Sequence, residues 1–150
     1  MPARIATGRG YVCAGGLTVI EPCSIRAPRE ERLKILSIRQ PWAYLITRGS
    51  KNIENRVWPT KYRGPFLIHA SLTINREACQ EHRLSRDELE TGGVVGIAEI
   101  VDCVTDHSSR WFEGPYGFVL RHRRPLPFVK WTGSLGLRDA PTRLLRRLGL

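Results

Sequence analysis

Long apolar runs are missing from this chain. The longest, Val94-Val95-Gly96-Ile97-Ala98, stops at Glu99, far short of the ~20 residues a helix needs to cross a bilayer, so no membrane partner is expected. The four cysteines, Cys13, Cys23, Cys79 and Cys103, lie 10, 56 and 24 positions apart, with no C-x-x-C and no nearby histidine pair. Such spacing excludes the usual zinc patterns. His69, His82, His107 and His122 fall on different elements and form neither a ligand set nor a Ser/His/Asp or Cys/His order. Gly-rich phosphate loops are absent as well, and so are internal repeats. No metal and no cofactor are expected. Nothing near the start resembles a secretory signal, and the thiols read as reduced and mostly buried, which implies a cytoplasmic protein.

Acidic residues are also scarce, 14 against 24 Lys and Arg, for a formal charge of +10 in 150 residues. Polyanions are the natural partner of such a surface, since each phosphate contact releases condensed counterions. Twenty of the 24 cations are Arg, and solubility is the competing explanation of the charge. One domain of this length buries roughly 68–70% of its unfolded surface and needs no staples. With 14 Gly and 10 Pro the chain promises many turns, but it lies outside the compositions of collagen, coiled coil or wholesale disorder.

Three segments are distinguished. Residues 1–33 lack periodicity, carry scattered Gly and Pro, and read as a flexible extension. The domain proper runs from 34 to 137. Residues 138–150 form a basic tail in which Leu144, Leu145 and Leu148 suggest a turn or two of amphipathic helix. Within the domain, Lys34–Arg39 reads as a strand, and a helix follows from Pro41 with Trp42, Leu45 and Ile46 on one face and Gly49 as left-handed cap. Phe66–Ala70 is a second strand. Asn75 caps a helix, and Ser85-Arg86-Asp87-Glu88 has capping-box spacing. Val94–Val104 is a long strand; Tyr116–Arg121 and Leu126–Trp131 give two more, joined through Arg123-Arg124-Pro125. Five or six short strands and two or three short helices predict an α+β fold, a small barrel whose ends the helices close.

Lys51 and Glu54 follow the first helix, where a turn places side chains at a cleft mouth. If residues 53–56 are extended, Glu54 and Arg56 share a face and form an ion pair, structural or functional. A lysine beside a low-dielectric cleft can serve as general base, or stay charged to hold a phosphate. On a period-2 strand Glu99 shares a face with Val95, Ile97, Val101 and Cys103, a face that looks buried. A carboxylate there needs a partner or a cavity, and Arg39, Arg56 or Lys51 could supply the partner. Trp42 and Tyr44 face different ways on their helix, so one joins the core and the other can meet a base, with Arg39 and Gln40 offering donors. Lys61 and Arg63 flank Tyr62 in the basic-aromatic interleaving of a single-strand groove.

The stretch Leu36-Ser37-Ile38-Arg39-Gln40-Pro41-Trp42-Ala43-Tyr44-Leu45-Ile46, then Gly49-Ser50-Lys51-Asn52-Ile53-Glu54-Asn55-Arg56, Tyr62-Arg63-Gly64 and Ile68-His69-Ala70, resembles the ASCH domain, a β-barrel family of the PUA-like superfamily. Gly96–Asp102 and the late Gly133–Leu137 extend the resemblance over roughly residues 34–140. It implies a small PUA-like barrel with a basic cleft of the kind thought to serve RNA or other nucleic acid. In this chain the pocket is expected to be bordered by Arg39, Gln40, Tyr44, Lys51, Glu54 and Glu99, with Trp42, Arg56, Lys61 and Arg63 as further nucleic-acid contacts. Some relatives look like amidohydrolases that deacetylate 4-acetylcytidine, a modified nucleoside. By that likeness Lys51 would be the base and Glu99 the proton shuttle, with Glu54 beside them, although Glu54 stands where those relatives carry Thr. Metal-independent RNA cleavage assisted by Lys51 and Tyr44 is a third reading. RNA binding is the leading expectation.

Overall fold

The computed structural model describes residues 32–150, and the expectation of a flexible extension at 1–33 lies almost wholly outside them. Six strands form one sheet: β1 (Lys34–Gln40), β2 (Ile53–Arg56), β3 (Gly64–Ile74), β4 (Gly93–Val104), β5 (Tyr116–Lys130) and β6 (Arg138–Asp139). Three short helices accompany them, α1 (Trp42–Thr47), α2 (Arg76–Glu81) and α3 (Thr142–Leu148), with one 3-10 turn at Arg86–Glu88. The strand order is β2-β5-β4-β3-β1-β6. Only β1 and β3 are parallel, as the crossover through α1 and β2 requires. The α+β, PUA-like class expected from the sequence is the observed one.

Strand alternation divides the apolar residues between two cores. Leu36, Ile38, Phe66, Ile68, Ala98, Ile100 and Phe118 fill the inside of the curled sheet, with Ala43 and Ile46 of α1 plugging one end. Their neighbours along the strands, Ile35 and Leu67, face outward and are covered by Leu144 of α3. The sheet has two edges, β2 and β6, and one side chain spans the opening: Nη2 of Arg56 on β2 donates to the Ser37 carbonyl of β1 at 2.7 Å.

Close approach explains Gly96. A Cβ there would stand 2.3 Å from Cγ2 of Thr47 and 2.7 Å from the Arg124 carbonyl oxygen, so only glycine lets α1 pack against β4. Thr47 itself is tied back, its hydroxyl donating to the Ala43 and Tyr44 carbonyls. Gly49 differs from expectation. It does not take the left-handed conformation. Its place is set instead by crowding against Leu45, whose carbonyl oxygen lies 2.8 Å from where a Cβ would be. The cap at Asn75 is as read, its side chain accepting from the Ala78 N–H, and Ser85–Glu88 forms the full capping box.

The two late strands are one. β5 runs unbroken because Arg124 and Pro125 still pair with Ile97 and Gly96 of β4. Its kink is His122, a non-glycine residue at φ 49°, so Arg121 and His122 both face solvent. Residues 138–150 fold back onto the sheet rather than trailing from it. β6 pairs antiparallel with Lys34 and Ile35, the Ala140 N–H donates to the Leu33 carbonyl, and α3 ends in a left-handed Gly149. Leu144 is 0% exposed. Leu144→Ala should therefore cost about 2–5 kcal/mol, the range for a fully buried leucine, whereas Leu150→Ala should be near neutral; urea unfolding midpoints of the two variants provide the check.

Candidate functional site

The α1–β2 turn carries the site. Arg123 of β5 holds it, its Nη1 donating to the carbonyls of Ile46 (3.3 Å), Gly49 (3.2 Å) and Lys51 (2.8 Å), groups the helix end leaves over. Lys51 then points inward and is 4% exposed. Its ammonium lies 5.1 Å from the ring centroid of Trp42 and 5.5 Å from that of Trp111, the geometry of a cation between two aromatic faces. His82, just after α2, joins the two indoles, 5.7 Å from Trp42 edge-on and 5.3 Å from Trp111.

Trp111 reaches this position through the loop between β4 and β5, which Asn55 anchors. The Asn55 amide donates to the Trp111 carbonyl at 2.9 Å, and its oxygen accepts from the N–H groups of Glu113 and Gly114 at 2.9 and 3.2 Å. A further tie links Ser109 Oγ to Asn52 Oδ1 at 2.7 Å.

Beneath Lys51, Glu54 is buried and paired with Arg56 at 3.0 Å. As the extended reading of 53–56 requires, both point to one face of β2, and Arg56 also lies 5.8 Å from the Trp58 ring. Burial pushes the Glu54 carboxyl above the usual range, against the pull of Arg56 and Lys51. It pushes Lys51 down, against the pull of Glu54 and Glu113. Both shifts follow from desolvation of a charge outweighing its partners, and they bring the two groups toward each other as an acid–base couple.

Of the residues singled out in the sequence, Trp42, Lys51, Glu54 and Arg56 are brought together. Glu99 is not. Irregularities in the β4–β5 pairing at Val94/Gly96 and Ile97/Glu99 reverse the alternation after Val95, so Ala98 and Ile100 face the core. Glu99 is left on the outer face with its side chain 38% exposed, 3.6 Å from His122 Nε2. Gln40 is buried and works as a strut, donating to the Glu90 carbonyl at 2.7 Å and accepting from the Tyr44 N–H at 3.0 Å. Tyr44 lines a small polar cavity of about 250 Å³ with Gln40, Thr47 and Arg48. Arg39, Lys61 and Arg63 are exposed; Arg63 pairs with Asp102 at 3.5 Å. Lys51 is almost wholly covered, so the site is an aromatic box with half-exposed rings at its surface. Trp111, His82 and Asn55 escape a reading by periodicity because two of them sit outside regular elements; the amide at position 55 inside the Lys-x-x-Glu-x-Arg stretch is the only local signal.

A small curled sheet plugged by α1, with this turn at its mouth, defines a PUA-like barrel. The ASCH domain profile matches residues 36–132, and the chain belongs to that family. Among solved structures it is similar to ASCH from Zymomonas mobilis, with TM-score 0.51 and 16% identity over 79% of this chain and 94% of that one. It is likewise similar to a tyrosine-to-phenylalanine mutant of that protein, with TM-score 0.50 and 16% identity over 79% of this chain and 96% of that one. It is also 33% identical to human activating signal cointegrator 1 over 58% of this chain, and 34% identical to the mouse protein over 47%. The chain spans only 18% and 14% of the length of those two relatives.

The linked shifts give the site a pH signature. Folding raises the Glu54 pKa above its ordinary 4.5, so folding takes up a proton just above that value, and stability is lost as pH rises through the raised folded pKa. Glu54→Gln should flatten this fall. Lys51, lowered from 10.5, loses stability in the other direction, as pH falls from there through its lowered folded value. Urea titrations of wild type and Glu54→Gln across the weakly acidic range test this; parallel curves would mean that Glu54 ionises normally.

Proposed function

We propose that this chain binds single-stranded nucleic acid, RNA foremost, with the aromatic box around Lys51 as the base-recognition point. One observation carries the reading: a buried ammonium between Trp42 and Trp111, with His82 bridging the rings. Half-exposed indoles offer faces on which unpaired bases stack, an interaction of about 1–3 kcal/mol per base. The cation behind them strengthens attraction for a phosphate or a base carbonyl. A surface of formal charge +10 supports the approach of a polyanion, and exposed Arg39, Lys61 and Arg63 are available to phosphates. Membership of the ASCH family agrees with a nucleic-acid role.

A second reading draws on the opposed displacements of Lys51 and Glu54. A lysine and a carboxyl buried in one turn suit amide hydrolysis of an acylated base such as 4-acetylcytidine: Lys51 would take the proton of the attacking water, and Glu54 would relay a proton to the leaving amine as the bond to the acetyl carbon breaks. In this arrangement Glu54 takes the place sequence reasoning gave to Glu99.

Anisotropy with labelled oligouridine and oligothymidine of about twelve nucleotides separates these readings. Binding should weaken steeply with salt and drop about tenfold or more for Trp111→Ala and Lys51→Ala, with RNA held more tightly than DNA. Retention untouched by both variants would sink the proposed site. Acetate release from 4-acetylcytidine, abolished in Lys51→Ala and Glu54→Gln, would establish the hydrolase instead.

A further inference from the structure

A separate groove runs over the outer face of the sheet, away from the barrel interior. Its floor is β3 and the end of β5, its wall is α3, and its volume is about 1160 Å³, above the roughly 300–1,000 Å³ of small-molecule pockets. The floor is preformed. His69 Nε2 lies 2.8 Å from the Trp131 carbonyl, which can only accept, so Nε2–H donates there, and Nδ1 lies 3.1 Å from the Ser37 hydroxyl. Gly133 lies over this pair so closely that a Cβ would stand 2.7 Å from His69 Cε1.

Two features describe what the groove would hold. First, Leu72, Leu135 and Phe128 line it at 80%, 87% and 40% exposure, an apolar patch of the kind that marks a binding surface on a soluble protein. Phe128 and Trp131 supply rings, but the two most exposed apolar side chains, Leu72 and Leu135, are aliphatic and suit an apolar side chain better than the face of a base. Second, Lys130, Arg143 and Arg147 line the same groove, none is ion-paired among the described residues, and no acidic residue lines it. Arg147 is held in place by its bond to the Lys130 carbonyl (3.0 Å) and by the Trp131 ring at 6.0 Å. A second copy of this chain would set the three cations against themselves in a two-fold contact.

We propose that this groove docks a short acidic peptide segment of a partner protein. Its apolar side chains seat among Leu72, Phe128 and Leu135, and its carboxylates reach Lys130, Arg143 and Arg147. Apolar anchors would give the affinity and the charges the steering and register. This surface is independent of the box around Lys51.

Selection of random peptides about twelve residues long against the full chain provides the probe. The selected sequences should share two or more Leu or Phe flanked by Asp or Glu. As synthetic peptides they should lose about tenfold or more in affinity for Leu135→Asp and for the double variant Arg143→Glu/Arg147→Glu, and nothing for Lys51→Ala. All of the groove substitutions are at surface positions, and circular dichroism would verify their fold. Failure to enrich acidic apolar sequences, or peptides that bind these variants as well as wild type, would overturn the proposal. So would oligouridine that displaces the peptide and itself binds the groove variants more weakly, which would assign the groove to nucleic acid.

Discussion

The guanidinium of Arg56 is the point on which the barrel and its site both depend. A six-stranded sheet of this order has no closing ladder between β2 and β1, and Arg56 spans that gap with a bond to the Ser37 carbonyl while pairing with Glu54 on its own strand. Because the bridge is an ion pair, closing the barrel also draws a carboxylate out of water. That carboxylate in turn offsets part of the cost of burying the Lys51 ammonium, although desolvation remains the larger effect. The bond that spans the open edge and the burial of the lysine thus share one ion pair.

Much of this was legible in the chain because it is local. The Leu36–Ile38 alternation, the helix after Pro41, the caps at Asn75 and Ser85 and the extended Ile53–Arg56 with its ion pair all follow from residues a few positions apart. What escaped depends on pairing. The pairing irregularities in β4 reverse which face Glu99 occupies, and no strict period-2 count can see them. The chain through Arg123-Arg124-Pro125 reads as a break between strands, yet β4 supplies partners straight across it. The basic tail reads as separate until Leu144 meets Ile35 and Leu67 on the outside of the sheet.

Site residues divide along the same line. Lys51, Glu54 and Arg56 lie within six positions, so their meeting needs only one turn and one strand. Trp111 is sixty residues on from Lys51, and Arg123 further still; their roles are conferred by tertiary contact alone. Gln40, expected to offer donors to a ligand, is consumed by the fold: both ends of its amide are occupied in joining α1 to the loop before β4.

The anchoring by Asn55 separates two properties of the loop over Lys51. All three of its bonds go to backbone groups, the Trp111 carbonyl and the Glu113 and Gly114 amides, and none to a side chain. The anchor of the loop is accordingly made to backbone, and no part of it is made through the side chain at position 111. A protein built this way can exchange the ring facing the lysine, and with it the shape and electron density of the surface over that lysine, while the Asn55 anchor beneath it is retained. On the proposed reading of the site, ligand preference could change at that one position without the strands or the ion pair beneath having to change.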